Sequence, residues 1–340
     1  MSAGARMTAE MAEQPAVLAR LVARADAVAE AVRTVAPRPL TGTAIVARGS
    51  SDHASVYGRY LIELASGRPV SLAAPSLHLL YDARVDYGGQ LAIAVSQSGQ
   101  TPEIVQTLAR LRDAGARALA ITNDATSELV LAAEAVVALE AGAELAVPAT
   151  KTVTAQLLAF ALLARALGPV PFSDAQLHEL PAAVSAVLDD PAPARHAAER
   201  LVGDLRLVVT ARGLLYGAAL ESALKLQETA AIAADGFSSA DLRHGPITIV
   251  GEGFPVIALS AGDGPAAADV AALVGVLRER GARVLTIATG AGADLPLPDV
   301  TEALAPIVAV VRGQQLACEL ALLRGRDPDA PANLRKVTAT

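Results

Sequence analysis

Three short stretches of this chain occur twice, in the same order. Ala47-Arg48-Gly49 returns as Ala211-Arg212-Gly213, and Val95-Ser96 returns as Leu259-Ser260, each 164 positions later. Leu111-Arg112-Asp113-Ala114-Gly115-Ala116-Arg117 returns as Leu277-Arg278-Glu279-Arg280-Gly281-Ala282-Arg283, now 166 positions on. Each match falls at a predicted strand end or at a helix-to-strand turn. Common order and near-constant spacing separate this from coincidence in an alanine-rich chain. Two copies make a duplicated domain and not a solenoid.

The length agrees: 340 residues suit about two domains of roughly 100–200 residues each. Hydrophobic residues make up 53% of the chain but aromatics only 3%, with no Trp, so the core must be built from Ala, Val, Leu and Ile. Such cores suit parallel sheets covered by helices on both faces. The pattern predicts one amphipathic helix over 10–36, then strands at Thr43–Ala47, Leu91–Val95, Ala118–Thr122 and Ala135–Leu139 alternating with helices. Long helices are expected at Thr150–Leu167, Leu220–Ala231 and Pro306–Leu323. The Pro-containing stretch Asp189–Pro193 reads as a hinge between halves. The expected architecture is α/β: two tandem doubly wound parallel-sheet domains, 37–190 and 191–326, between an N-terminal helix (1–36) and a tail (327–340).

In a doubly wound sheet, ligands bind beyond the carboxyl ends of the strands, near the switch point. The strand Leu91–Val95 enters such an end, followed by Ser96-Gln97-Ser98-Gly99-Gln100-Thr101 and a helix opening at Pro102. Three hydroxyls, a glycine and free backbone N–H groups thus meet at a helix N-terminus. They can hold a phosphate dianion without Lys or Arg. The plain alternative is a polar turn with Thr101 as helix cap. The other strand end of this copy, Arg48-Gly49-Ser50-Ser51-Asp52-His53, can send Ser51 into the same crevice, with His53 a cap or surface residue. In the second copy these positions become Leu214 and Leu215, and the hydroxyl loop becomes Ala261-Gly262-Asp263-Gly264. One half therefore keeps the phosphate loop, and the other is expected to be scaffold and source of catalytic groups.

A net charge of -7 argues against nucleic acid as the main partner. The single cysteine, Cys318, cannot form an internal disulfide and reads as a small packed side chain; with no signal-peptide pattern, this points to a cytoplasmic protein without a membrane span. No cluster has metal-ligand spacing, and neither nucleotide-binding glycine motif occurs, so neither metal nor cofactor is expected.

The hydroxyl loop with its flanking strand and helix resembles the sugar isomerase (SIS) domain family, most closely the isomerase half of the glucosamine–fructose-6-phosphate aminotransferases. The supporting stretches are Ala47–Ala54, Glu144–Thr152, Glu221–Glu228, Leu242–Pro246 and Pro331–Thr338, in family order over about residues 10–340. The resemblance implies flavodoxin-like domains, a sugar-phosphate substrate and a homodimer with shared active sites. It implies substrate contacts from Ser51, Ser96, Gln97, Ser98, Thr101, Val147 and Thr150, and catalytic roles for Glu228, His244, Lys336 and Lys225. Two departures stand out. The chain begins Met1-Ser2-Ala3, without the N-terminal cysteine of the glutamine-hydrolysing domain, so glutamine hydrolysis is not expected. Ala149 stands where those enzymes usually carry a phosphate-touching Ser.

Each implied role has a chemical rationale. Aldose–ketose isomerisation needs a group that removes a proton beside a carbonyl and returns it next door, which a carboxylate such as Glu228 can do. By spacing alone, Lys225 and Glu228 on one helix face read as a surface ion pair worth well under ~1 kcal/mol. His244 suits proton transfer in ring opening, and in the family this residue comes from the neighbouring subunit. Lys336 can form a Schiff base with a ketose, although a lysine so near the end reads otherwise as a solvated tail residue. Lys151 is expected to organise the site. Chains of this length and pattern resemble the stand-alone SIS deaminases, which implies conversion of glucosamine 6-phosphate to fructose 6-phosphate and ammonia. A fructosamine-6-phosphate deglycase, an ammonia-dependent synthase and a non-catalytic sugar-phosphate sensor are the alternatives.

Overall fold

The computed structural model describes residues 2–262, 264–290 and 292–336. In chain order the elements are α1 (Ala5–Ala12), α2 (Gln14–Ala23), α3 (Ala25–Val35), β1 (Gly42–Val46), α4 (Ser50–Ser66), β2 (Val70–Leu72), α5 (Pro75–Leu79), β3 (Gln90–Ser96), α6 (Pro102–Asp113), β4 (Arg117–Thr122), α7 (Glu128–Ala132), β5 (Ala135–Ala138) and α8 (Lys151–Leu167). The second half continues with α9 (Asp174–Asp189), α10 (Ala192–Leu201), β6 (Arg206–Ala211), α11 (Tyr216–Ala230), β7 (Ala233–Ser238), α12 (Ser239–Arg243), β8 (Pro255–Ser260), α13 (Ala267–Glu279), β9 (Arg283–Thr289), β10 (Leu295–Leu297) and α14 (Ala305–Leu323).

The strands form two five-stranded sheets, ordered β2-β1-β3-β4-β5 and β10-β9-β8-β6-β7. Read from its other edge, the second sheet has the order of the first. Every strand pairing is parallel, for example Gly42↔Gln90 to Val46↔Ala94 and Pro255↔Arg283 to Ser260↔Ala288. The duplication read from the sequence is therefore a duplicated doubly wound sheet. β2, β7 and β10, short or half-exposed strands, were not distinguished by hydrophobic pattern.

The chain divides into two compact units: one comprises the residues up to Ala16, Glu144–Thr154 and Phe172–Lys336; the other comprises Val17–Ala143 and Ala155–Pro171. In the latter, alternate residues Ala44, Val46, Ala92, Ala94, Ala118 and Ala120 pack under Ile104, Leu108 and Leu111 of α6. In the former, Val208, Val256, Ala258 and Val284 pack under Val270, Leu273 and Leu277 of α13. Small alanines in the first sheet let its covering helix approach closely, which is why so few aromatics suffice. α14 is long and apolar enough by composition to cross a membrane, yet 83% of it is buried. Arg312 within it is buried too, its guanidinium donating to Asp190 O at 2.7 Å and Pro296 O at 3.1 Å. Cys318 is buried on the same helix, and burial is the chief reason its thiol is pushed up to about 11, out of the reactive range.

The predicted single helix over 10–36 is instead three. Pro15 has no N–H to donate and its ring crowds the carbonyl of Met11; that carbonyl accepts the Gln14 side chain at 3.1 Å. The second break is at Arg24, whose N–H bonds Leu21 O and whose guanidinium is drawn to Ala138 O, 3.1 Å, and Glu140, 2.5 Å. The stretch Asp189–Pro193 joins α9 to α10, both in the unit of the second sheet.

Candidate active site

In the first sheet the chain leaves β1 towards β2 and β3 towards β4, so β1 and β3 flank the switch point. The loop after β3 is shaped by its own hydrogen bonds. Ser96 Oγ accepts the N–H of Gly99 at 3.1 Å, and Ser98 Oγ accepts that of Gln100 at 3.2 Å. Gln97 O accepts the N–H of Asn123 at 3.1 Å. Gly99 has φ +63, and a Cβ there would lie 2.0 Å from Ser127 Oγ. Only glycine fits. Ser96 is buried, while Gln97, Ser98 and Thr101 are half-buried.

Thr101 stands at the N-cap of α6 with extended backbone, but its hydroxyl caps nothing. Its carbonyl accepts the N–H groups of Ile104 and Val105, both at 3.1 Å. A hydroxyl at a helix N-terminus that is not spent on the helix is suited to an anion. On the β1 side, Gly49 turns the chain at φ +58, and Ser51 is buried in the first turn of α4. Arg48 makes two 2.9 Å bonds to the Glu103 carboxylate, linking this turn to the first turn of α6. Asp52 is pushed up by burial, against the opposing pull of His53 and Arg48.

The second copy has given this geometry up. Leu214 and Leu215 are buried where the first copy has its serines. The N–H of Gly262 is taken by Thr289 Oγ1 at 2.5 Å. A Cβ on Gly264 would fall 1.9 Å from the Glu302 carboxylate, so the protein's own side chain fills the space. Asp263 lies outside the described residues.

The unit of the second sheet instead carries charged groups on α11. Glu221, Lys225 and Glu228 follow one another four and three residues apart, hence on one face. Lys225 Nζ pairs with Glu228 Oε2 and, at 3.3 Å, with Glu221 Oε1. Lys225 and Glu221 are each 1% exposed. Burial works to lower the Lys225 amine, but the two carboxylates outweigh it and hold the group above its ordinary value. Glu228 is 18% exposed and opens onto a cleft of about 490 Å³, whose lining includes Gln227, Arg326, Pro331 and Asn333. The expected surface ion pair is thus a buried cluster with its second carboxylate turned to a cleft.

Lys336 is held by a second buried acid. Its Nζ donates to Glu144 Oε2 at 2.7 Å. Glu144 Oε1 accepts the N–H groups of Thr150, 2.9 Å, and Thr152, 3.1 Å, and Oε2 accepts the Thr152 hydroxyl at 2.8 Å. Burial would raise this carboxyl, but Lys336 and the loop donors hold it below the usual range. Thr150 is fully buried, its hydroxyl 3.5 Å from Glu144 Oε1. Val147 and Ala149 are half-buried, and the N–H of Val147 donates to Asp329 O at 3.0 Å. Lys151 is buried against Glu13 at 2.7 Å, a loop-fastening contact. His244 follows α12 and is exposed, its N–H on Asp241 O at 3.0 Å; its ring makes no hydrogen bond or ion pair among the described residues. Of the tail, Val337–Thr340 lie outside the described residues.

Three acids escaped the sequence reading. Glu221 repeats the spacing that singled out Lys225 and Glu228, which was a usable signal. Glu144 was marked only as the first residue of the stretch Glu144–Thr152, with no role attached, and Glu10 left no signal, because their partners are remote along the chain.

The SIS domain family profile matches residues 43–166 and 201–297. The glutamine–fructose-6-phosphate aminotransferase [isomerizing] of Thermus thermophilus is 34% identical over 97% of this chain, which spans 58% of that relative. A solved structure from Silicibacter pomeroyi DSS-3, for which phosphosugar isomerase activity is proposed, is 34% identical over 95% of this chain and 99% of that one, TM-score 0.86. The fold is shared with a glucosamine-6-phosphate deaminase of Thermotoga maritima, 21% identical, covering 99% and 100% of the two chains, TM-score 0.80. Two parallel sheets of one order, a hydroxyl loop at the switch point and 34% identity across nearly the whole chain place this protein in the SIS domain family.

Proposed function

We propose that the protein is an amino-sugar-phosphate isomerase/deaminase that converts glucosamine 6-phosphate and water to fructose 6-phosphate and ammonia. The observation that carries this reading is the Lys225–Glu228 pair, whose carboxylate opens onto a cleft lined by the tail segment that leads to Lys336. The hydroxyl loop Ser96–Thr101, with Ser51, holds the phosphate. Glu228 takes the C2 proton of the open-chain sugar and returns it to C1, leaving an imine at C2. The Lys336 amine adds to that carbon and ammonia leaves; water then releases the ketose and restores the amine. Lys225 holds the Glu228 carboxylate in place through their ion pair. The exposed ring of His244, unengaged among the described residues, suits donation to the ring oxygen in a neighbouring subunit's site, so a homodimer belongs to the proposal.

The test is ammonia release across a panel of glucosamine 6-phosphate, its epimers and fructosamine 6-phosphates, with fructose 6-phosphate plus ammonia as the reverse reaction. Turnover of glucosamine 6-phosphate in preference to the others supports the proposal. Preference for fructosamine 6-phosphates makes the protein a deglycase, and no turnover of any of them removes the catalytic reading.

A further inference from the structure

Glu144 does more than neutralise a lysine. Its side chain is completely buried, and five donors converge on its two oxygens: the N–H groups and hydroxyls of Thr150 and Thr152 and the Lys336 ammonium. A carboxylate so held cannot follow a moving partner, so the amine must come to it. The loop is itself fastened from two sides. Glu10 of α1 accepts the N–H groups of Leu145 and Ala146, the latter at 3.2 Å. Asp329 accepts the N–H of Val147 on its carbonyl at 3.0 Å and those of Arg6 and Met7 on its carboxylate at 3.0 and 2.8 Å. Lys336 thus stands at the end of a chain of fixed hydrogen bonds running from α1 through the loop.

We infer that Glu144 is a positioning residue: it fixes the Lys336 amine at one point, facing where the ketose carbon must arrive. The inference rests on Lys336 being the imine-forming group. Among the described residues, Glu144 on the loop bonds this amine and Glu10 on α1 stands behind it. Lys151, at the start of α8, is neutralised by Glu13.

The experiment uses the full chain. Borohydride trapping of fructose 6-phosphate at Lys336, read by peptide mass spectrometry, reports whether the amine reaches the ketose carbon. Glu144→Asp keeps the charge but draws it back by a methylene, and Glu144→Gln removes the charge. In each, trapping and kcat should fall about tenfold or more while KM for the phosphosugar changes little. The Asp variant also serves should the Gln variant fail to fold. Undiminished trapping in Glu144→Asp, or a loss carried by KM alone, overturns the inference. Absence of trapping in the wild-type protein overturns instead the reading of Lys336 as the imine former.

Discussion

Arg48 and Glu103 meet through two 2.9 Å bonds, one residue just past β1 and the other in the first turn of α6. The pair ties together the two turns that flank the switch point of the first sheet. The Arg48 side chain is 47% exposed, so the link is worth at most about 1 kcal/mol of stability. Its value lies in orientation. Arg48→Met should leave the melting temperature within a few degrees of wild type while raising KM for the phosphosugar several-fold. A fall in melting temperature with KM unchanged would reduce the pair to a structural brace.

The hydroxyls of the loop are predicted to bind and not to cap. Thr101 makes no capping bond, so Thr101→Ala removes nothing the helix uses. A hydrogen bond to a charged ligand is worth about 1.5–3 kcal/mol, which predicts a rise in KM of about tenfold or more for Thr101→Ala. Ser98→Ala should act in the same direction, tempered by its bond to the Gln100 N–H. Both losses fall on ground and transition state alike, so kcat should change little. Steady-state kinetics and thermal melts on the same preparations decide it.

If His244 serves the neighbouring subunit, two dead variants should complement each other. Mixing Glu228→Gln with His244→Ala and allowing subunit exchange gives hybrids with one doubly defective site and one intact site. About half of the wild-type rate per hybrid dimer is expected. No recovery, once exchange is shown by native mass spectrometry, places both residues in one subunit's site or removes His244 from the mechanism.

Deleting Asn333–Thr340 should abolish turnover and leave the fold. Asp327 and Asp329, which hold the N-terminal residues, remain in place. Loss of a positioned acid–base or nucleophilic group typically costs about 10²–10⁴ in rate. Lys336→Arg should be nearly as damaging, since a guanidinium stays protonated and forms no imine. Near-normal turnover by the truncated protein would return Lys336 to the status of a tail lysine.

Glu10 and Glu144 should respond to pH in opposite senses. Glu144 is held below the ordinary carboxylate range, so its charge stabilises the fold above about pH 4–5 and that gain is lost as pH falls through its folded value. Glu10 is raised, burial outweighing its N–H bonds and the Lys336 charge, so its ionised form costs stability as pH rises through its folded value. Relative to wild type, Glu144→Gln should therefore lose more melting temperature at pH 7 than at pH 4, and Glu10→Gln should gain more. The same sign for both variants would refute the assignment.

What the sequence by itself determined was local or repeated. The 164-residue offset specified two like sheets, because strand ends and their turns carry their own pattern wherever they occur. The loop Ser96–Thr101 was legible because a strand, a glycine turn and a helix start are contiguous. Lys225 and Glu228 could be placed on one face because helical spacing is fixed at about 3.6 residues per turn. Tertiary structure decided the rest. Glu144 and Lys336 are 192 positions apart, and Glu10 and Leu145 are 135 apart; no periodicity links residues at such separations. It also decided that Thr101 leaves its hydroxyl unspent, that Lys225 has a second carboxylate in Glu221, and that the helix predicted over 10–36 breaks at Arg24, where remote acceptors at Ala138 and Glu140 capture the side chain. A charge finds its partner by burial and proximity in space, and these exist only once the chain has folded.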